Sequence, residues 1–172
     1  YDGLSDCRAA SLMSGGMKVC TIGCLGLGSC ARVCPFDAIT MRHFDDMQLL
    51  AQVDAILARD RMSKVLAFAC NWCSYAGADL AGTSRIQYPT NTRIVRTMCS
   101  GRVDADFVKH AYQQGVGAVM LTGCRPQDCH YISGNDFALK RERKIRRWMQ
   151  KNSIAEERFL IAWMSAASWP VF

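Results

Sequence analysis

The 172-residue chain has no stretch approaching the ~20 consecutive apolar residues of a membrane-spanning helix. Its most apolar run near the end, Phe159 to Trp169 (FLIAWMSAASW), is roughly half that length and reads as a buried strand with a short apolar continuation. Neither a basic leader nor a signal-like apolar segment comes after Tyr1, so secretion finds no support and a cytoplasmic setting is expected. Histidine is scarce: His43, His110 and His130 form no consistent constellation with Ser, Cys or carboxylates, and each is expected to be structural or at the surface. Gly26-Leu27-Gly28 is preceded by no strand, so it is not a phosphate loop. Half of the residues are hydrophobic and 21% charged, which excludes a disordered chain.

Cysteine is abundant. Ten are present, in two blocks: Cys7, Cys20, Cys24, Cys30 and Cys34, then Cys70, Cys73, Cys99, Cys124 and Cys129. Outside an oxidising compartment, thiols in such numbers are more naturally metal ligands than disulfides. The chain is long enough for one sizeable core, or for a moderate core plus a small cofactor-held appendage. The missing initiator Met and the apolar residues 169–172 lead us to expect a piece of a longer polypeptide.

Residues 1–41 are rich in glycine and cysteine, as expected where backbone amides approach cluster sulfurs. Over 45–61, Met47, Leu50, Val53, Ile56 and Leu57 fall at helical spacing, with Asp45 or Asp46 as the N-cap. This helix, within residues 42–63, is expected to connect two modules. Four apolar runs then read as strands: 65–69, 93–98, 117–122 and 159–163. Helices are expected between them over 75–81, 104–114 and 134–151, with an irregular first crossover around Pro89. Such alternation predicts an α/β domain over 64–172 with a parallel, right-handed sheet.

Ligands of open parallel sheets sit beyond the carboxyl ends of the strands. Cys70, Cys99 and Cys124 each fall at that end of a separate strand, and Cys73 and Cys129 lie in the same loops. Four readings compete: inert buried thiols, a zinc site, a dithiol at Cys70-Asn71-Trp72-Cys73, and an iron–sulfur cluster. The cluster accounts for most of the set; it uses four of the five thiols and leaves one over. A zinc centre would make the chain a redox-silent scaffold, and the dithiol would make it a thiol–disulfide oxidoreductase. Trp72 and Tyr75 are expected in the core, or as a shield for a cluster, and Met13, Met17, Met41 and Met47 as gap-fillers around the cofactor.

In the first block, Cys20-x3-Cys24-x5-Cys30-x3-Cys34-Pro35 keeps the last interval and the proline of a bacterial ferredoxin run, but stretches the earlier intervals. A ferredoxin-like [4Fe–4S] module over 1–41 is expected, completed by Cys34 or Cys7; an outside fourth donor, or a missing reciprocal half, is the alternative. The basic residues Lys140, Arg141, Arg143, Lys144, Arg146, Arg147 and Lys151 crowd one helix. A solvated face is the plain reading and an acidic protein partner the sharper one; no aromatic-interleaved surface supports nucleic acid.

Three segments carry a resemblance. Phe68-Ala-Cys70-Asn71-Trp72-Cys73-Ser74-Tyr75, then Thr97-Met98-Cys99-Ser100-Gly101-Arg102, then Gly123-Cys124-Arg125-Pro126-Gln-Asp128-Cys129-His130-Tyr131 resemble the delta subunit of methyl-viologen-reducing hydrogenase, over about Lys64 to Trp169. The resemblance implies a [2Fe–2S] cluster on four of Cys70, Cys73, Cys99, Cys124 and Cys129. It also implies electron transfer from a hydrogenase or formate dehydrogenase to a heterodisulfide reductase-like flavoprotein. The chain would then be an electron-transfer component rather than a complete enzyme. Arg42-His43-Phe44-Asp45-Asp46-Met-Gln48 is similar to the tail after the ferredoxin insert of the heterodisulfide reductase flavoprotein (its A subunit), onto which this domain can be fused. The first block resembles the B subunit of the Rnf electron-transport complex, but lacks its second cysteine half, and a segment lost near Met41–Arg42 is expected.

Overall fold

A computed structural model describes residues 44–165. The chain divides into two compact units, Tyr1–Asp45 and Asp46–Phe172, and almost all described residues belong to the second. The expected cluster module over 1–41, with Cys7, Cys20, Cys24, Cys30 and Cys34, and the junction at Met41–Arg42 lie outside the described residues.

The elements alternate as expected: α1 (Asp46–Leu57), β1 (Val65–Cys70), α2 (Ser74–Thr83), β2 (Thr92–Thr97), α3 (Ala105–Gln113), β3 (Ala118–Gly123), α4 (Gly134–Lys151) and β4 (Phe159–Trp163). The four strands form one parallel sheet in the order β2-β1-β3-β4. Val65–Cys70 is buried almost throughout, as suits a central strand covered on both faces. Right-handed crossovers place α2 on one face and α3 and α4 on the other, because the chain moves outward in opposite directions from β1. The order reverses between β1 and β3, which is the point where open α/β sheets bind ligands.

The core lies between the sheet and the helices α1, α3 and α4. Leu49, Val53 and Leu57 of α1, Phe107, Val108 and Ala111 of α3, and Ile145 and Met149 of α4 pack on Leu66, Phe68, Val119 and Leu121. α1 therefore packs into the core of the α/β domain. It ends at Leu57 rather than running to Arg61: Asp60 takes a left-handed conformation (φ 47°), and Lys64 Nζ donates to the carbonyls of Ile56 and Arg59 near the helix end. Asp104 caps α3 by accepting from the Asp106 N–H, and Gly115 comes after that helix at φ 87°. Two gap-filling roles need correction. Met47 is 77% exposed, because it lies on the solvent side of α1, and Trp72 is 42% exposed rather than in the core. Among the described residues, no helix is long and apolar enough to cross a membrane.

Candidate metal centre

Each strand of the central three delivers a cysteine to the same end of the sheet. Cys70 is the last residue of β1, Cys99 comes soon after β2, and Cys124 comes directly after Gly123 of β3. Cys73 immediately precedes α2, and Cys129 lies in the loop leading to α4. All five are buried, unbridged, and packed in one cluster against Tyr131. The sequence expectation that these five converge therefore describes their placement.

Within the cluster, the Sγ atoms of Cys70, Cys73 and Cys124 all lie within 4.8 Å of one another, and those of Cys70 and Cys124 are 3.9 Å apart. A tetrahedral metal with ~2.3 Å bonds to thiolates needs neighbouring sulfurs roughly 3.8 Å apart. Cys99 and Cys129 come together at the start of α4. A methyl group placed on Gly134 would overlap Cys99 Sγ and lie 3.0 Å from Cys129 Sγ. Gly101 is similarly confined, since its added methyl would lie 2.6 Å from the Gly134 carbonyl oxygen. Two backbones thus meet at the thiols where no side chain fits. Neither glycine stands out in the sequence, because the constraint is a contact between segments far apart in the chain.

The thiols share protons among themselves. Hydrogen bonds with Cys124, then Cys73 and Cys99, hold Cys70 well below the usual thiol range. Cys124 is lowered to about 7, chiefly by its hydrogen bond with Cys129. Cys73 is pushed up by hydrogen bonds with Cys124 and Cys70, and Cys99 by those with Cys129 and Cys70, with burial adding to both. The set is thus arranged to carry thiolate next to thiol, and thiolate is the form that ligates metal. The Gly101 N–H donates to Cys99 Sγ at 3.4 Å, an amide–sulfur bond of the kind that tunes metal–thiolate sites.

Polar groups lock the surrounding loops. Thr97 Oγ1 donates to the carbonyls of Ala69 and Cys99, Thr122 Oγ1 to Phe68, and Ser74 Oγ to Cys70. Arg141 of α4 donates to the Gly101 carbonyl and lies 3.6 Å from Asp104, which fixes α4 to the Cys99 turn. Over the outside, Trp72 stacks on His130 (ring centroids 3.7 Å apart, 16° between planes) and donates from Nε1 to the Tyr131 hydroxyl at 3.1 Å. That stack ties the loops after β1 and β3 together. His130 is therefore an aromatic partner and stands outside the Cys70–Cys73–Cys124 group. His110 pairs with Asp54 at 2.6 Å, away from the thiols on α3.

A sequence profile of "Methyl-viologen-reducing hydrogenase, delta subunit" matches residues 65–172. The chain belongs to this family. It is 47% identical over 131 residues to the A subunit of ferredoxin:CoB-CoM heterodisulfide reductase from Methanosarcina mazei, a match covering 76% of the chain and 16% of that protein. It is 46% identical to the A subunit of ferredoxin/F(420)H(2)-dependent CoB-CoM heterodisulfide reductase from Methanosarcina acetivorans, across 84% of the chain and 22% of the relative. With the iron-sulfur D subunit of F420-non-reducing hydrogenase vhc from Methanococcus voltae the identity is 40%, covering 67% of this chain and 81% of the relative. The chain spans less than a quarter of the two reductase subunits it matches. These relatives are subunits of hydrogenases and heterodisulfide reductases, which are electron-transfer systems.

Proposed function

We propose that the domain over 64–172 holds a [2Fe–2S] cluster on four of its five convergent cysteines. On this reading it relays single electrons between partner subunits of a hydrogenase/heterodisulfide reductase-type complex. One observation carries this reading: five buried, unbridged thiols from three separate strand ends meet at the switch point of a parallel sheet. Cys70, Cys73 and Cys124 would supply three ligands, and Cys99 or Cys129 the fourth. The donor set is wholly sulfur, as iron–sulfur centres require, and the Cys70–Cys124 spacing fits two thiolates on one metal. When bound, the cluster supplies one-electron chemistry. The chain's own residues hold and tune it: the Gly101 amide donates to Cys99 Sγ, the start of α4 packs on the thiols, and Trp72, His130 and Tyr131 bridge the loops that carry them.

The same proposal assigns residues 1–41, with Cys20, Cys24, Cys30 and Cys34, to a ferredoxin-like [4Fe–4S] module and treats 42–63 as the connecting segment. The partners would be a hydrogenase or formate dehydrogenase on one side and a heterodisulfide reductase-like flavoprotein on the other. A centre of unpaired thiols suits a reducing, cytoplasmic compartment. Zinc is the second reading, because three thiols within 4.8 Å also suit a mononuclear tetrahedral ion. EPR of the anaerobically purified, dithionite-reduced chain separates the two. The proposal expects a [2Fe–2S] signal that disappears in Cys70→Ser; a colourless, EPR-silent protein would leave the zinc scaffold.

A further inference from the structure

The formal charge of +6 is concentrated in one part of the molecule. Residues 1–45 contain four Lys or Arg and four Asp, so the entire excess belongs to residues 46–172. Helix α4 carries its densest part and sorts its cations by direction. Ala138, Ile145 and Met149 face the core. Arg141 binds the Cys99 turn, and Arg146 pairs with Glu142. Lys140, Arg143, Lys144, Arg147 and Lys151 are all exposed, and their spacing of three and four puts them in one stripe opposite the buried side. Among the described residues, Arg143, Lys144, Arg147 and Lys151 have no ion-pair partner.

The stripe runs about 17 Å along the helix and starts about 9 Å beyond Gly134, the residue in contact with the thiols. Between thiols and stripe the surface is partly apolar: Ile132, Phe137 and Leu139 are exposed, and Trp72 lies over the neighbouring loop. We propose that the stripe is the landing site of a small acidic one-electron carrier protein, which it steers toward the thiol-bearing end of the sheet. The inference rests on the relay reading above and adds the face and the charge of the partner. A single-signed row of unpaired cations raises association rates with an opposite surface. The adjoining aromatic and aliphatic side chains resemble a protein interface core, with arginine at its rim. A nucleic acid would need stacking rings along the basic track, and the stripe carries none.

Stopped-flow mixing of the full, cluster-loaded chain with a reduced, strongly acidic bacterial ferredoxin as probe tests this, across a series of salt concentrations. The triple variant Arg143→Glu/Lys144→Glu/Arg147→Glu should slow electron transfer at least tenfold at low salt, and the difference should vanish as the Debye length shrinks at high salt. The matching Gln variant should fall between the two. Reduced methyl viologen, which needs no docking surface, should reduce the Glu variant no more slowly than the parent. If it reduces neither chain, the relay reading fails and takes the docking proposal with it. If it reduces both while the ferredoxin rate ignores salt and charge reversal, the docking proposal alone fails. Tighter binding to random-sequence duplex DNA or to anionic phospholipid vesicles than to the ferredoxin, at physiological salt, would likewise overturn it.

Discussion

Cys70 Sγ lies 3.9 Å from Cys124 Sγ, although 54 residues separate the two. The sheet itself makes the contact. β1 and β3 are hydrogen-bonded neighbours with Ala69 opposite Thr122, so the residues that leave the two strands emerge side by side. Cys99 arrives from β2 on the other flank of β1 by the same logic, with Cys70 paired to Thr97. Parallel pairing thereby turns three cysteines scattered along the chain into one donor set.

Serine replacement one cysteine at a time should divide the five. Cys70→Ser, Cys73→Ser and Cys124→Ser are each expected to abolish the metal centre. Of Cys99→Ser and Cys129→Ser, one should keep iron and the other lose it. Metal content by mass spectrometry, with circular dichroism to verify folding, gives the answer; full iron retention in any of the first three would refute the assignment of that ligand.

Gly134→Ala places a methyl group against two thiols and can be accommodated only if α4 or the Cys99 turn moves. A cost of about 1–3 kcal/mol is expected, as for other overpacked sites. Metal retention should fall alongside, whereas Gly82→Ala, whose added methyl meets nothing within 4 Å, should do neither. Denaturant titration of both variants, paired with iron assay, checks this.

Helix α1 is read as part of the folded α/β unit because Leu49, Val53 and Leu57 sit in its core. Leu49→Ala should therefore destabilise the domain by about 2–5 kcal/mol, the usual cost of emptying a leucine site. A midpoint equal to the parent's in urea denaturation would show that α1 is dispensable.

Tyr112 links α3 to the turn before β4: its hydroxyl donates to the Arg158 carbonyl at 2.6 Å. Burial pushes its pKa up to about 12 from an ordinary 10. Since the folded state holds the proton more tightly, this contribution is complete below pH 10 and drains away as pH rises through 12. Tyr112→Phe should cost about 1 kcal/mol at neutral pH through the lost hydrogen bond and flatten that alkaline decline. Stability curves of the two proteins between neutral and alkaline pH provide the comparison.

The strands were legible because each is a short apolar run with a break after it, and α4 because its apolar residues keep helical spacing through a basic sequence. The gathering of Cys70, Cys73, Cys99, Cys124 and Cys129 could be inferred from strand ends alone. The end of α1 was not legible, since Asp60 in a left-handed turn is a local backbone choice that apolar periodicity does not report. Trp72 was misplaced into the core because its true partner, the His130 ring, comes from another loop. The Gly101–Gly134 approach was missed for the same reason: each glycine is required by a segment distant in sequence.

The central claim is that the strand-end thiols grip iron with sulfide. Its most direct test is iron, acid-labile sulfide and zinc analysis of anaerobically purified Cys20→Ser/Cys24→Ser/Cys30→Ser/Cys34→Ser chain, in which only the later five thiols and Cys7 remain. The account expects iron and sulfide in equal amounts, near two of each per chain as a [2Fe–2S] centre demands, and no stoichiometric zinc. One zinc per chain without sulfide, or no metal and thiols paired as disulfides, would contradict it.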